Sequence, residues 1–144
     1  MGVDAEQRRL VKLIVNIDVA DQVAGEAFYT RALGLSVGRR WDGMVELLGL
    51  EAPIYLLQKD AGSAIGPAGG AARDYARHWT PVHLDVAVDD LDAAAERALA
   101  AGAVQEGATR DGAWGRIAMF ADPFGHGFCL LQFKGRGYDE IPHA

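Results

Sequence analysis

The chain repeats itself, and the repeat limits its fold more than any other feature. Leu13-Ile-Val-Asn-Ile-Asp-Val19 alternates and is rich in β-branched residues, the mark of a half-buried strand. Val82-His-Leu-Asp-Val-Ala-Val88 has the same grammar. Each run leads into an acidic helix start, Asp21 in one and Asp89-Asp90 in the other. Each helix then ends near a glycine, Gly34 and Gly102, placed to cap it. In the second helix Leu91, Ala94, Ala95, Ala98 and Leu99 form an amphipathic stripe. In the first, Val23, Ala27 and Phe28 begin a weaker stripe that Leu33 and Leu35 complete.

Three strands are expected after each helix. In the first half they are Ser36–Trp41, Met44–Leu48 and Ile54–Gln58; in the second, Val104–Gly107, Ile117–Phe120 and Phe128–Phe133. The closing strands match almost letter for letter, Ile54-Tyr-Leu-Leu-Gln58 against Phe128-Cys-Leu-Leu-Gln132. The reading is one α+β domain of two tandem βαβββ modules, forming a curved mixed sheet around a small-molecule cavity. Module one covers about 10–60, a connector about 61–80, module two about 81–134 and a C-terminal tail 135–144. Within the connector, Ala61 to Ala72 is rich in Gly and Ala without periodicity and reads as a plain flexible linker.

A chain of 144 residues has room for a real core. The formal charge of −6 comes without any basic stretch, which argues against nucleic acid as a partner. No apolar run reaches the length of a membrane span, so no membrane partner is expected. Met1 to Leu10 is polar and lacks the apolar core of a secretory signal. Cys129 is the single cysteine, so no intrachain disulfide forms, which suits a cytoplasmic location.

Strand alternation sorts the side chains into two faces. Leu13, Val15, Ile17 and Val19 are expected to face the helix, leaving Lys12, Ile14, Asn16 and Asp18 on the other side. Likewise Val82, Leu84, Val86 and Val88 face the helix, while His83, Asp85 and Ala87 face away. The closing strands are apolar on both faces, so the far side of the sheet is a partly dry concavity suited to a small organic ligand.

This layout resembles the vicinal oxygen chelate superfamily, which includes glyoxalase I, bleomycin-resistance proteins and extradiol dioxygenases. The resemblance is carried by Phe28-Tyr29 before Leu33-Gly34-Leu35, by His83 within Val82-His-Leu-Asp-Val, and by Asp122-Pro-Phe-Gly125 before the last strand. It implies a homodimer and a divalent metal, zinc, nickel, iron or manganese, held at four positions. Carried over, these positions are Ile14, Tyr55, His83 and Cys129. Ile14 offers no donor, Tyr55 is a phenol where a carboxylate is expected, and a buried Cys129 thiol resists ionisation. The expectation is therefore that no divalent ion is tightly held and that no cofactor is needed. Asp85 would add a carboxylate, but its place beside His83 on one strand implies a different geometry.

His83 is the leading catalytic candidate, as a general base oriented by Asp85, against a merely hydrogen-bonded histidine with Asp85 facing water or Lys12. Cys129 as a nucleophile competes with Cys129 as core filler. Trp41, Trp79 and Trp114 can line a pocket or simply pack, and Trp114, between Gly112 and Gly115, suits a loop at the pocket mouth. Arg39 and Arg40 suit an anionic ligand or a solvated charge pair. No role is assigned to His78, His126 or His143. Tyr138 and Ile141 in the tail either fold back over the pocket or leave the tail without fixed structure. The binding site is expected to gather Asn16, Tyr55, His83, Asp85, Cys129 and Trp114. Three functions follow from the resemblance: a metal-free binding protein, a metal-dependent lyase or dioxygenase with an altered ligand set, and a metal-free enzyme using His83 as base.

Overall fold

In the computed structural model, residues 11–142 are described. Met1–Leu10 and His143 lie outside the described residues. The first module runs β1 (Val15–Val19), α1 (Gln22–Leu33), β2 (Ser36–Trp41), β3 (Met44–Leu48) and β4 (Ile54–Gln58). A hairpin follows, β5 (Ala64–Gly66) and β6 (Gly69–Ala72). The second module runs β7 (Leu84–Ala87), α2 (Leu91–Ala101), β8 (Val104–Gln105), β9 (Arg110–Gly112), β10 (Gly115–Ala121) and β11 (Gly127–Phe133), and a 3-10 turn spans Gly137–Glu140.

The two modules share one topology. The first sheet has the order β1-β4-β3-β2 and the second β7-β11-β10-β8, with β9 paired to β10. In each, the first and last strands of the module are parallel neighbours, β1 with β4 and β7 with β11. The two sheets are mixed and openly arranged, each with one parallel pair and antiparallel neighbours, as expected for two tandem βαβββ modules. The connector differs from the flexible linker expected. Gly66-Pro-Ala-Gly69 is a tight turn, and Arg73 ties the hairpin down by donating to Asp18 on β1 at 2.8 Å and to the Ala64 carbonyl. Gly/Ala composition hid it, because such strands show no apolar alternation.

The repeated glutamine has a physical reason. A helix start leaves backbone N–H groups without intrahelical partners. Asp21 caps α1 by accepting from the N–H groups of Val23 and Ala24, and Asp90 caps α2 through Ala93. The Gln58 side chain accepts from the N–H of Gln22 at 2.9 Å, and the Gln132 side chain accepts from that of Leu91 at 2.8 Å. Each module thus ties the end of its closing strand to the start of its helix. Gly34 and Gly102 end the helices in the left-handed region, as expected.

One core joins both modules. Gly25 lets α1 approach β1 and β4, since a Cβ there would lie 3.1 Å from Val19 and 3.2 Å from Leu56. Phe28 of α1 meets Phe128 of β11 edge-on at 6.2 Å, across the module boundary. The turn at Asp122-Pro-Phe-Gly125 is the second clasp. Asp122 Oδ1 accepts from the N–H groups of Phe124 and His126, and the buried Tyr29 hydroxyl of α1 donates to Oδ2. Gly125 has φ +85°, and a Cβ there would lie 2.5 Å from the Tyr75 carbonyl. Among the described residues, no helix is long and apolar enough to cross a membrane.

Candidate functional site

The expected register holds at β7. Leu84 and Val86 pack against the core, which turns His83 and Asp85 to the side away from the helices. The β7–β11 ladder pairs Asp85 with Cys129, so the thiol joins them on that face. The donor atoms of His83, Asp85 and Cys129 lie within 4.8 Å of one another. His83 Nε2 is 3.1 Å from Asp85 Oδ1, so Asp85 pairs with the imidazole and not with Lys12. Cys129 is buried, and that burial, with the Asp85 carboxylate beside it, pushes the thiol up to about 11. A protonated, enclosed thiol next to a carboxylate is a poor nucleophile, which leaves Cys129 as filler or as a ligand.

His83 stands where two cavities meet. The larger, about 350 Å³, is a cleft between β1 and β7, walled by Val15, Ile17 and Val86 with Asn16, His83 and His126 among its polar groups. The smaller, about 130 Å³, lies beside His83 and Cys129 and is walled also by Trp79, Met119 and Glu106. His126, given no role from sequence, bridges the modules: its Nε2 donates to the Asp18 carbonyl at 2.7 Å. Glu106 is held by Arg77 through two contacts of 2.9 Å.

Asn16 shares the cleft with His83. Its ladder neighbour Tyr55 makes its contacts within the first sheet. There the Tyr55 hydroxyl donates to Glu46 and the ring stacks on Trp41 at 6.1 Å. Glu46 is a buried carboxylate that also accepts from the Arg39 N–H at 3.0 Å and faces the Arg39 guanidinium at 3.5 Å. These hydrogen bonds, from Tyr55 first, hold Glu46 below the usual carboxylate range. The same bond and burial hold the Tyr55 phenol above its ordinary value. Of the expected group, His83, Asp85 and Cys129 lie together on the second module, and Tyr55 contacts Glu46 and Trp41 on the first. Glu46 was legible in principle, because alternation in Met44–Leu48 puts it on the face of Tyr55.

Trp114 is not at the pocket mouth. It packs on Phe133 and on Tyr138 of the tail, at 6.4 and 5.3 Å. Phe133 is four residues beyond Cys129 on β11, about 13 Å away at the usual strand rise. The tail folds over that end of the sheet, not over His83. Arg40 is committed to Glu26 by a two-pronged ion pair.

The four metal positions implied by the resemblance do not fit an ion. Ile14 is a half-exposed hydrocarbon, and Tyr55 is a neutral phenol already donating to Glu46. The discounting of Asp85 on strand geometry does not hold, however. Its carboxylate, the imidazole and the thiol form a possible metal-binding group.

Comparison with known proteins agrees with the fold. Residues 14–131 match the glyoxalase-like domain family. Uncharacterized proteins of Mycobacterium tuberculosis and Mycobacterium bovis are 48% identical over 67 residues, 45% of this chain. That match takes in 39% and 44% of their respective lengths, so the chain spans less than half of the curated relatives it matches. Among solved structures, the fosfomycin resistance protein FosX of Listeria monocytogenes has a TM-score of 0.68 at 18% identity, over 92% of this chain and 98% of that one. A glyoxalase/bleomycin resistance protein/dioxygenase family enzyme of Burkholderia phytofirmans has a TM-score of 0.65 at 19% identity, over 84% and 97%. A variant of the Listeria FosX, complexed with Mn(II) and 1S,2S-dihydroxypropylphosphonic acid, has a TM-score of 0.63 at 18% identity, over 82% and 86%. Identities this low speak for the fold alone.

Proposed function

The chain belongs to the glyoxalase-like domain family, and from that premise we propose that it binds a small organic molecule in the cleft between β1 and β7, without the four-position metal set of its superfamily. The observation that carries this reading is the cleft itself. About 350 Å³ of space, mostly apolar, with Asn16, His83 and His126 converging on it, suits a compact ligand bearing a few polar groups. The missing donors at Ile14 and Tyr55 support binding over metal-assisted turnover.

The working form is a two-fold homodimer in the cytoplasm. Leu13, Ile14, Trp79 and Val82, all exposed near the starts of β1 and β7, support association with a second copy. Sedimentation velocity at micromolar protein should give the dimer mass, and a monomer would refute that part. The ligand is sought by native mass spectrometry of tag-free protein. The expected result is an adduct of small-molecule mass that disappears in Asn16→Trp, which fills the cleft. An adduct that survives Asn16→Trp, or none in any preparation or after incubation with a fragment library, would overturn the reading.

The His83–Asp85 contact favours a second reading, in which His83 is a general base oriented by Asp85. Its mark would be turnover of the cleft ligand that is lost in His83→Ala and falls, with a changed pH profile, in Asp85→Asn. Turnover indifferent to both would exclude it.

A further inference from the structure

We propose that the chain carries a second binding site, at the opposite end of the β1–β7 seam from the cleft, which takes the protonated amine of a compact, otherwise apolar molecule. This goes beyond the cleft-binding reading and does not depend on it.

The repeat that builds the fold builds the cavity twice. The parallel ladders place Val15 beside Ile54 in the first module and Leu84 beside Phe128 in the second. By that correspondence Asn16 answers to Asp85, Asp18 to Ala87 and Ala52 to His126. The cleft lies between the later part of β1 and the start of β7, and is closed by the residues entering β11, His126 to Phe128. A second cavity, of about 340 Å³, lies between the start of β1 and the end of β7. It is closed by the residues entering β4, Leu50 to Ala52 with Ile54. Its volume falls in the range of small-molecule pockets, and Leu50, Ile54, Leu84 and Val86 join its wall to the core.

The two ends are furnished differently, and that selects the ligand. Where the cleft has Asn16 and His126, the second cavity has Asp85 and Ala52. The cleft's carboxylate, Asp18, is held by Arg73 at 2.8 Å. The charged groups lining the second cavity are both carboxylates, Glu51 and Asp85. Asp85 is shared with His83 at 3.1 Å, whereas among the described residues no cation pairs with Glu51, which makes Glu51 the principal counter-charge. The strand edge adds acceptors. The N–H of Val88 donates to Leu131 of β11 at 2.8 Å, so alternation turns the backbone groups of Asp85 and Ala87 to the opposite edge of β7. Among the described residues no strand pairs with that edge. Its carbonyls can accept from an ammonium N–H, the apolar wall takes the hydrocarbon, and the carboxylates repel anions.

The test is titration of the full chain with phenethylammonium, followed by backbone amide NMR. The expected result is saturable shifts at Glu51, Ala52 and Ala87, with Thr80 and Gly127 of the cleft unmoved. Phenethyl alcohol has the same shape without the charge and should bind at least about tenfold more weakly, as a lost charge-assisted hydrogen bond costs. Phenylacetate should not bind. Glu51→Gln alters an exposed loop side chain and keeps its shape, so the fold is not at risk. It should weaken phenethylammonium at least about threefold, the scale of an exposed ion pair, and leave the alcohol unchanged. No saturable shift at tens of millimolar amine, shifts centred on Thr80 and Gly127, an alcohol that binds as tightly as the amine, or an amine affinity unchanged in Glu51→Gln would each overturn the proposal. Asn16→Trp fills the cleft and should leave this binding intact, so the two sites fail separately.

Discussion

Replacing Tyr29 with phenylalanine removes one oxygen and should loosen the clasp between α1 and the second module. The Tyr29 hydroxyl donates to Oδ2 of Asp122, and both residues are buried. Oδ1 keeps its two backbone donors from Phe124 and His126, at 2.8 and 2.9 Å. In Tyr29→Phe the ring stays, so its edge-on contact with Phe28 at 4.8 Å persists and no large cavity opens. The loss is then one hydrogen bond to a buried carboxylate, about 1.5–3 kcal/mol. For a chain of this size that corresponds to roughly 5–10 °C in Tm. Urea unfolding followed by circular dichroism should show a lower midpoint with an unchanged m-value. Burial holds the Tyr29 phenol well above its ordinary range, with the Asp122 charge adding to it. A raised acid contributes stability in its neutral form. The difference between wild type and variant should therefore be constant from about pH 6 to 9 and shrink only as the pH rises past the usual tyrosine value of about 10. A loss below about 0.5 kcal/mol at pH 7 would show that the contact is not the clasp described here.

Gln58→Ala and Gln132→Ala should each destabilise by about 0.5–2 kcal/mol in the same urea assay, as lost helix caps do. Equal effects in the two modules would support one device used twice, and a neutral result at both would refute it. Cys129 should react with maleimide at pH 8 only after unfolding, because its thiol is buried and its pKa is raised to about 11. Rapid labelling of the folded protein would contradict that placement.

Much of the fold was legible because it is written twice. The bounds of β2, β3 and β4 are those expected from the sequence, and Asp21, Asp90, Gly34 and Gly102 mark the helix ends. The shared Leu-Leu-Gln of the closing strands was visible as letters, but its cause, a side chain capping the helix start, needed coordinates. The second module read less well. β9 consists of Arg110-Asp-Gly112, which has no apolar alternation and forms only because β10 offers an edge.

The site was legible where it depends on strand parity and opaque where it depends on sheet placement. Parity put His83, Asp85 and Cys129 on one face, and they are together. It also put Tyr55 on the equivalent face of the first module, without the partner it finds there. Tyr55 went with Glu46 on the first sheet. Trp114 was misplaced for a simpler reason: glycines beside an indole signal a loop, but not which end of the sheet it lies at.

The most direct test of the central claim is nitrogen-15 NMR of the histidine rings during titration with the co-purifying ligand or, failing that, a fragment mixture. His83 and His126 both line the cleft between β1 and β7, whereas His78 does not. The account predicts saturable shifts at the His83 and His126 rings, little change at His78, and loss of all shifts in Asn16→Trp. Shifts confined to His78, or saturable binding that leaves the His83 and His126 rings unmoved, would contradict it.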